Sequence, residues 1–293
     1  MRVLITGGGG FLAGHLADYL QSFPHLEVRS LRRAECDLSN DQRKLSAILG
    51  SFRPAVVFHL AGRISGSESE LDRDNRLATV NLFAALRGYP AARAVLGSTA
   101  GVYGIGGTAD TPLAERDAVS PRGAYASSKY ACEQAARSYA EGGGWVGTAR
   151  MSNPIGSSMG ARLLCGTLAK QVVEIERGKA PIVTLRDLTS KRDFISARDC
   201  AAALWQISGH GNCGEIYNVA SGTSTSIAEI VEIYRSLSRV SPIEVKVVAG
   251  EGERSAVPEQ WLSNTKLRGL GWAPRQTLRD SISNQLDSER ARA

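Results

Sequence analysis

The chain has 293 residues, 43% of them hydrophobic, and a net charge of +6 at neutral pH, which allows one or two domains with a sizeable core. The charges are scattered and no basic run is interleaved with aromatic residues, so we expect no nucleic-acid partner. No apolar stretch approaches the roughly 18 residues of a membrane-spanning helix, so we expect no membrane partner.

The five cysteines are dispersed without C-x-x-C spacing, and the four histidines are isolated. This pattern predicts free thiols in a reducing cytoplasm and no metal site. The chain enters a strand at once, so we expect no signal peptide and a cytoplasmic location.

The first predicted element is a strand over residues 1–6, followed by four glycines and a helix that begins at Phe11. The glycines follow the spacing G-x-x-G-x-x-A, with Gly7, Gly10 and Ala13 at the marked positions. A glycine turn between strand and helix lets the backbone approach a pyrophosphate, which then rests on the helix N-terminus. We therefore predict a dinucleotide site here.

The second predicted strand covers residues 26–31 and has no acidic residue at its end, where a site specific for NAD places one. Arg32 and Arg33 stand there instead, and an arginine fork suits a 2′-phosphate. The pattern favours NADP(H), with NAD(H) possible. Asp37 and Leu38 are placed to contact the adenine, and Ser39 is predicted to cap a helix that ends at Gly50.

The third predicted strand, residues 55–60, is a continuous apolar run that ends in Ala61 and Gly62, where a backbone can pass close to a cofactor. A helix over residues 70–86 follows, and a fourth strand over residues 94–97 delivers Thr99 at its carboxyl end. Open α/β sheets bind their ligands at that end, so the Thr99 hydroxyl is a candidate to bond the reacting oxygen.

Tyr125 and Lys129 lie four residues apart on the next predicted helix and therefore share one of its faces. A fixed cation favours a phenolate, and a phenol so tuned can give a proton to a carbonyl oxygen or take one from an alcohol. A fifth strand over residues 145–150 precedes Asn153 and Pro154. Strands that alternate with helices predict an α/β fold with a parallel, doubly wound sheet of Rossmann type.

Together these segments resemble the extended short-chain dehydrogenase/reductases, the NAD-dependent epimerase/dehydratase family that acts on nucleotide sugars. The resemblance covers nearly the whole chain and is carried by TGGGGFL at residues 6–12, FHLAG at 58–62, NRLATVNL at 75–82, STAGVYG at 98–104, YASSK at 125–129, RMSNPIG at 150–156, RDFI at 192–195, GEIYNV at 214–219 and LGWAP at 270–274.

The resemblance implies a Rossmann domain formed by residues 1–152 and 194–213, and a smaller substrate domain formed by residues 153–193 and 214–293. It implies that Thr99, Tyr125 and Lys129 are catalytic. The implied cofactor-binding residues are Gly7, Gly10, Phe11, Leu12, Arg32, Arg33, Asp37, Leu38, Leu60, Ala61, Gly62, Asn75, Tyr125 and Lys129. The implied substrate-binding residues are Thr99, Asn153, Arg192 and Arg254.

Within the family, the C-terminal half is most similar to the GDP-4-keto-6-deoxymannose reductases. This branch implies NADPH-dependent reduction of the 4-keto group of a nucleoside-diphosphate 4-keto-6-deoxyhexose, and a homodimer. The chain departs from that branch at Ala100-Gly101-Val102, where those reductases carry acidic residues. An NAD-dependent nucleotide-sugar epimerase is the alternative, since it would use the same three catalytic residues.

Overall fold

The computed structural model describes residues 1–104, 111–248 and 258–293. In these ranges the strands are β1 (Arg2–Thr6), β2 (Glu27–Leu31), β3 (Val56–His59), β4 (Arg93–Thr99), β5 (Trp145–Met151), β6 (Asn153–Ile155), β7 (Ile182–Leu185), β8 (Lys191–Arg192), β9 (Phe194–Ser196), β10 (Ile216–Val219), β11 (Thr225–Ser226), β12 (Glu244–Val247) and β13 (Glu259–Gln260).

The α-helices are α1 (Phe11–Leu20), α2 (Gln42–Phe52), α3 (Glu68–Leu71), α4 (Ala78–Leu86), α5 (Gly123–Glu141), α6 (Leu164–Glu176), α7 (Ala197–His210), α8 (Ile227–Leu237), α9 (Thr265–Arg268) and α10 (Leu278–Arg292). A π-helical segment, Asp72–Leu77, joins α3 to α4, and a 3₁₀ turn, Ala100–Tyr103, follows β4. Within the described residues, no helix is both long and apolar enough to cross a bilayer.

The central sheet has six parallel strands in the order β10-β5-β4-β3-β1-β2. The strand order reverses between β1 and β3, so the loops that leave these two strands diverge to opposite faces. This divergence opens a crevice at their carboxyl ends, the place where such sheets bind ligands.

The strands are buried on both faces because helices cover both sides of the sheet. On one side, α1 and α7 pack Leu16, Leu20 and Leu204 against β1 and β3. On the other side, α2, α4 and α5 contribute a second core that includes Leu49 and Leu82. The predicted doubly wound α/β fold is confirmed.

A third core lies outside the central sheet, where α6, α8 and α10 pack together. Tyr234 of α8 is buried there and its hydroxyl donates to the carbonyl of Cys165 at 3.0 Å. That these residues form a substrate domain stays a prediction, and one of its boundaries differs from the sheet topology. Strand β10 pairs with β5 in the central sheet although the predicted boundary placed residues from 214 onward in the substrate domain.

Two predicted helix boundaries also differ. Helix α2 begins at Gln42 rather than after Ser39, because the Ser39 hydroxyl donates to Asp37 Oδ1 at 2.7 Å instead of capping a helix. The helix predicted over residues 70–86 begins at Glu68 and contains the π-helical segment.

Candidate active site

A glycine cradle lies at the junction of β1 and α1. Gly7 has a φ of +73°, and a Cβ there would come within 2.7 Å of the Ala61 nitrogen, so the turn and the loop after β3 can approach only because residue 7 is glycine. A Cβ on Gly9 would meet no atom within 4 Å, and Gly10 precedes α1 without a side-chain cap. The first turn of α1 therefore has N–H groups without a side-chain cap next to open space, an arrangement that can bind a pyrophosphate.

A groove of about 240 Å³ continues from this cradle along the ends of β1, β2 and β3. It brings together nine of the predicted cofactor residues, namely Gly7, Gly10, Arg32, Arg33, Asp37, Leu38, Leu60, Ala61 and Gly62. Phe11 and Leu12 begin α1, but Phe11 packs against the third core and Leu12 against the first. Asn75 does not line the groove.

Asp37, which was predicted to contact the adenine, has its carboxylate hydrogen-bonded to other side chains and to the backbone. Asp37 Oδ1 accepts from the backbone N–H and hydroxyl of Ser39, and Oδ2 accepts from Arg33 Nη2 at 2.9 Å. Arg33 also donates to Asp74 Oδ2 at 2.7 Å. The structure thus adds Asp74, which was not among the residues predicted from the sequence.

Asp74 is nearly buried and receives three guanidinium groups, from Arg33, Arg63 and Arg73. Burial raises the pKa of the Asp74 carboxyl, but the hydrogen bonds from Arg73, Arg33 and Arg63 outweigh burial and hold it well below its usual range. Asp74 is therefore a fixed negative charge at the wall of the groove.

A buried hydrogen-bonded chain joins the cofactor loops to α5. The Thr79 hydroxyl donates to the Asn75 carbonyl at 2.7 Å, so His59 Nε2 must donate to Thr79 and His59 Nδ1 must accept from Thr6. Burial, with a smaller contribution from the Lys129 charge, lowers the pKa of His59 to about 3. His59 is therefore neutral and structural, as its isolated position in an apolar strand indicated.

Asn75 continues this chain. Its Oδ1 accepts from the Arg63 backbone N–H at 2.7 Å, and its Nδ2 donates to the Arg63 carbonyl and to Ser128 Oγ. Ser128 Oγ in turn donates to the Tyr125 carbonyl at 2.8 Å. The amide of Asn75 therefore clamps the loop after β3 to the helix that carries Tyr125, and a direct cofactor contact by Asn75 stays a prediction.

Thr99, Tyr125 and Lys129 lie on two adjoining elements, Thr99 at the end of β4 and the other two on α5. Lys129 is 7% exposed, and its Nζ lies 4.0 Å from where a Cβ on Gly62 would stand, so the ammonium lies beside a glycine that lines the groove. The Thr99 hydroxyl accepts from the Gly101 N–H at 3.2 Å, and a Cβ on Gly101 would lie 3.7 Å from Ala126 Cβ, so the turn that Thr99 caps lies next to the residue after Tyr125.

A buried ion pair fixes α5 against the sheet. Glu133, one turn after Lys129, binds Arg150 of β5 at 2.8 Å and accepts from the Ser98 hydroxyl at 2.5 Å. Both ionic side chains are about 95% buried, and the Arg150 guanidinium also lies 4.7 Å from the Tyr103 ring centroid. Because Ser98 precedes Thr99, this cluster locks α5 to the strand end that bears Thr99.

A second cavity, of about 640 Å³, lies in the part formed by β6 to α8. Asn153 and Arg192, which were predicted to bind substrate, both line it; Asn153 Nδ2 donates to the Asp193 carbonyl at 2.7 Å, and burial lowers the pKa of Arg192. Arg254 lies outside the described residues. Arg162 and Arg186 also line the cavity and were not predicted, because isolated arginines carry no spacing signal.

Arg162 of the second cavity donates from Nη1 to Ser65 Oγ at 3.4 Å, in the loop after β3 that also carries Arg63 of the groove. Within the described ranges, no group of three or more His, Cys, Asp or Glu side chains is placed to hold a metal ion.

Comparison with known proteins agrees with this geometry. The sequence model of the NAD dependent epimerase/dehydratase family matches residues 3–220. A GDP-6-deoxy-D-mannose reductase of Pseudomonas aeruginosa is 28% identical, over 96% of this chain and 94% of that protein. The solved structure of RMD from Pseudomonas aeruginosa with NADPH has a TM-score of 0.91 at 27% identity and covers 100% of this chain and 99% of that one. The UDP-glucose 4-epimerase of Thermus thermophilus with NAD has a TM-score of 0.87 at 25% identity, with both chains fully covered.

Proposed function

Because the chain belongs to the NAD dependent epimerase/dehydratase family, we propose that it uses NADPH to reduce the 4-keto group of a nucleoside-diphosphate 4-keto-6-deoxyhexose. The substrate we favour is of the GDP-4-keto-6-deoxymannose type. The reason is that the GDP-6-deoxy-D-mannose reductase of Pseudomonas aeruginosa matches along nearly the full length of both chains. The observation that carries the proposal is the arginine-lined end of the cofactor groove, together with the position of Lys129 Nζ beside Gly62 of that groove. We propose that Thr99 and Tyr125 act there with Lys129.

A bound nicotinamide cofactor supplies the hydride that reaches C4 of the sugar. Tyr125 donates a proton to the oxygen of that carbon as negative charge develops there. Lys129 supplies a nearby positive charge, which stabilises the phenolate that remains. The Thr99 hydroxyl donates a hydrogen bond to the same oxygen and stabilises it electrostatically.

The second cavity is suited to the nucleoside diphosphate. Its three described arginines, Arg162, Arg186 and Arg192, provide positive charge for two phosphates, and guanidinium groups bind phosphate oxygens in pairs. Asn153 lines the same cavity, at the start of β6. We propose that this cavity holds the nucleotide while the sugar extends towards Tyr125.

The alternative is an NAD-dependent nucleotide-sugar epimerase, which the similarity to the epimerase of Thermus thermophilus supports. An epimerase retains NAD through its cycle, whereas a reductase must exchange its cofactor after each turnover. The groove favours the reductase, because arginines stand after β2 where an acidic residue would bind the ribose 2′-hydroxyl of NAD.

The test is to follow nicotinamide absorbance with NADPH or NADH and freshly prepared GDP- or dTDP-4-keto-6-deoxyhexose. Stoichiometric loss of NADPH supports the reductase, and the preferred substrate identifies the base. Absence of NADPH or NADH consumption, with NAD released when the purified protein is denatured, supports the epimerase instead.

We also propose a homodimer, which light scattering after size-exclusion chromatography would test.

A further inference from the structure

The end of the cofactor groove beyond Asp37 holds charged side chains from three separate segments. Arg33 comes from the loop after β2, Arg63 from the loop after β3, and Arg73 and Asp74 from the π-helical segment. All three guanidinium groups donate to Asp74, Arg33 Nη1 and Arg63 Nε at 2.7 Å and Arg73 Nε at 2.8 Å. Asp74 thereby holds two loops of the groove at a fixed separation.

Arg33 has little donor capacity left for a ligand. A guanidinium carries five N–H groups. Four of those on Arg33 are used, two for Asp37 and two for Asp74. Although the sequence pointed to Arg33 as a phosphate ligand, its position between two carboxylates makes it a positioning residue.

Arg63 and Arg32 have the donors that Arg33 lacks. Arg63 Nε donates to Asp74, and Arg63 Nη1 forms an ion pair with Glu70 at 3.2 Å. Arg63 Nη2 makes no hydrogen bond with any described residue. The Arg32 guanidinium likewise makes no hydrogen bond or ion pair within the described part of the chain. Both side chains line the groove, from opposite loops.

We propose that Arg63, together with Arg32, binds the phosphate on the adenosine ribose of NADPH, and that Asp74 and Arg33 hold Arg63 in place for this. The inference rests on the NADPH preference in the proposed function, and it adds a specificity residue in the loop after β3. The ligand is a phosphomonoester dianion, which guanidinium groups bind through paired, charge-assisted hydrogen bonds.

The test uses two fragments that lack nicotinamide, 2′,5′-ADP and 5′-AMP, with dissociation constants measured by calorimetry on the full chain. The wild-type protein is expected to prefer 2′,5′-ADP. Arg63→Gln is expected to weaken 2′,5′-ADP by about tenfold, the scale of one charge-assisted hydrogen bond, and to leave 5′-AMP within about twofold. NADPH and NADH should show the same pattern.

Arg73→Gln is the matched control. Arg73 donates to the same carboxylate, is 42% exposed and does not line the groove, so its loss should leave the ratio of the two affinities unchanged. A wild-type ratio in Arg63→Gln, or an equal fall in Arg73→Gln, overturns the inference while the NADPH preference stands. A wild-type protein that does not distinguish the two fragments overturns the NADPH preference as well. Neither result depends on the reductase reaction.

Discussion

At the scale of single residues, Tyr125 is the group on which the proposed chemistry depends most directly. The Tyr125→Phe variant keeps the ring and removes the proton donor, so turnover should fall by roughly 10²–10⁴-fold, the usual contribution of general acid–base catalysis. Cofactor affinity, measured by calorimetry, should change little. Full turnover in this variant would show that another group delivers the proton.

His59 gives a prediction about pH. Its pKa of about 3 in the folded protein lies below the usual 6.5, so between these values the unfolded chain binds a proton that the folded chain does not. The stabilising contribution is complete above pH 6.5 and declines as the pH falls through this window, by about 1.4 kcal/mol per pH unit.

Denaturant unfolding of wild type and His59→Gln between pH 8 and pH 5 would test this, because glutamine can hydrogen-bond but does not titrate. The variant should lose less stability on acidification than wild type does. The exposed His25 offers a control, and His25→Gln should retain the wild-type slope. Parallel slopes for wild type and His59→Gln would contradict a neutral His59.

At the scale of secondary-structure elements, α5 is held by the Glu133–Arg150 pair rather than by apolar packing alone. Removing one partner of a buried pair leaves the other charge without compensation, which costs about 3–5 kcal/mol. Glu133→Ala should lower the free energy of unfolding by this amount, because Arg150 and Ser98 would both lose their partner.

The same helix supplies the control. Arg137 and Glu141 form an i,i+4 pair at 3.0 Å in which both side chains are mostly exposed. Such pairs contribute about 0.3–0.5 kcal/mol, so Glu141→Ala should have little effect in the same denaturant measurement. Similar losses in Glu133→Ala and Glu141→Ala would mean that the buried pair does not fix α5.

The sequence predicted five of the six strands of the central sheet, β1 to β5, because their apolar runs and the glycine turn are local patterns, but it did not predict β10. It did not predict the π-helical segment, in which the consecutive residues Asp74 and Asn75 are both buried. A regular helix turns neighbouring side chains about 100° apart, and hydrophobic spacing does not reveal the one extra residue of a π turn. The Arg33–Asp74–Arg63 contacts follow from that turn and were missed for the same reason.

The N-terminus of α2 shows a related limit. Ser39 is a good capping residue by type, yet its hydroxyl is taken by Asp37, two residues earlier. Competition between a turn and a helix cap for one hydroxyl depends on where Asp37 is held, and Arg33 helps to hold it. Residue types at a helix start therefore predicted that a helix forms here but not where it begins.

At the scale of the whole molecule, the two cavities lie on different parts of the chain that share contacts. The groove is formed by residues 6–78, and the second cavity by residues 153–227. Phe11 of α1 packs into the third core, and His15 Nε2 bonds the Ser157 carbonyl at 2.9 Å. Because α1 packs into the part of the chain that holds the second cavity, we expect the two parts to unfold together.

This arrangement predicts that either ligand alone stabilises the whole chain. A ligand present at 100 times its dissociation constant adds about 2.7 kcal/mol to the free energy of unfolding. NADPH and GDP should therefore each raise Tm by several degrees in a single transition, and dTDP or UDP should do so less if guanine is the preferred base.

Arg186→Gln should reduce the Tm shift with GDP and keep the Tm shift with NADPH, since Arg186 lines only the second cavity. Arg63→Gln should reduce the Tm shift with NADPH and keep the Tm shift with GDP, since Arg63 lines only the groove. If Arg186→Gln weakened the NADPH shift and left the GDP shift intact, the assignment of the two cavities would be wrong.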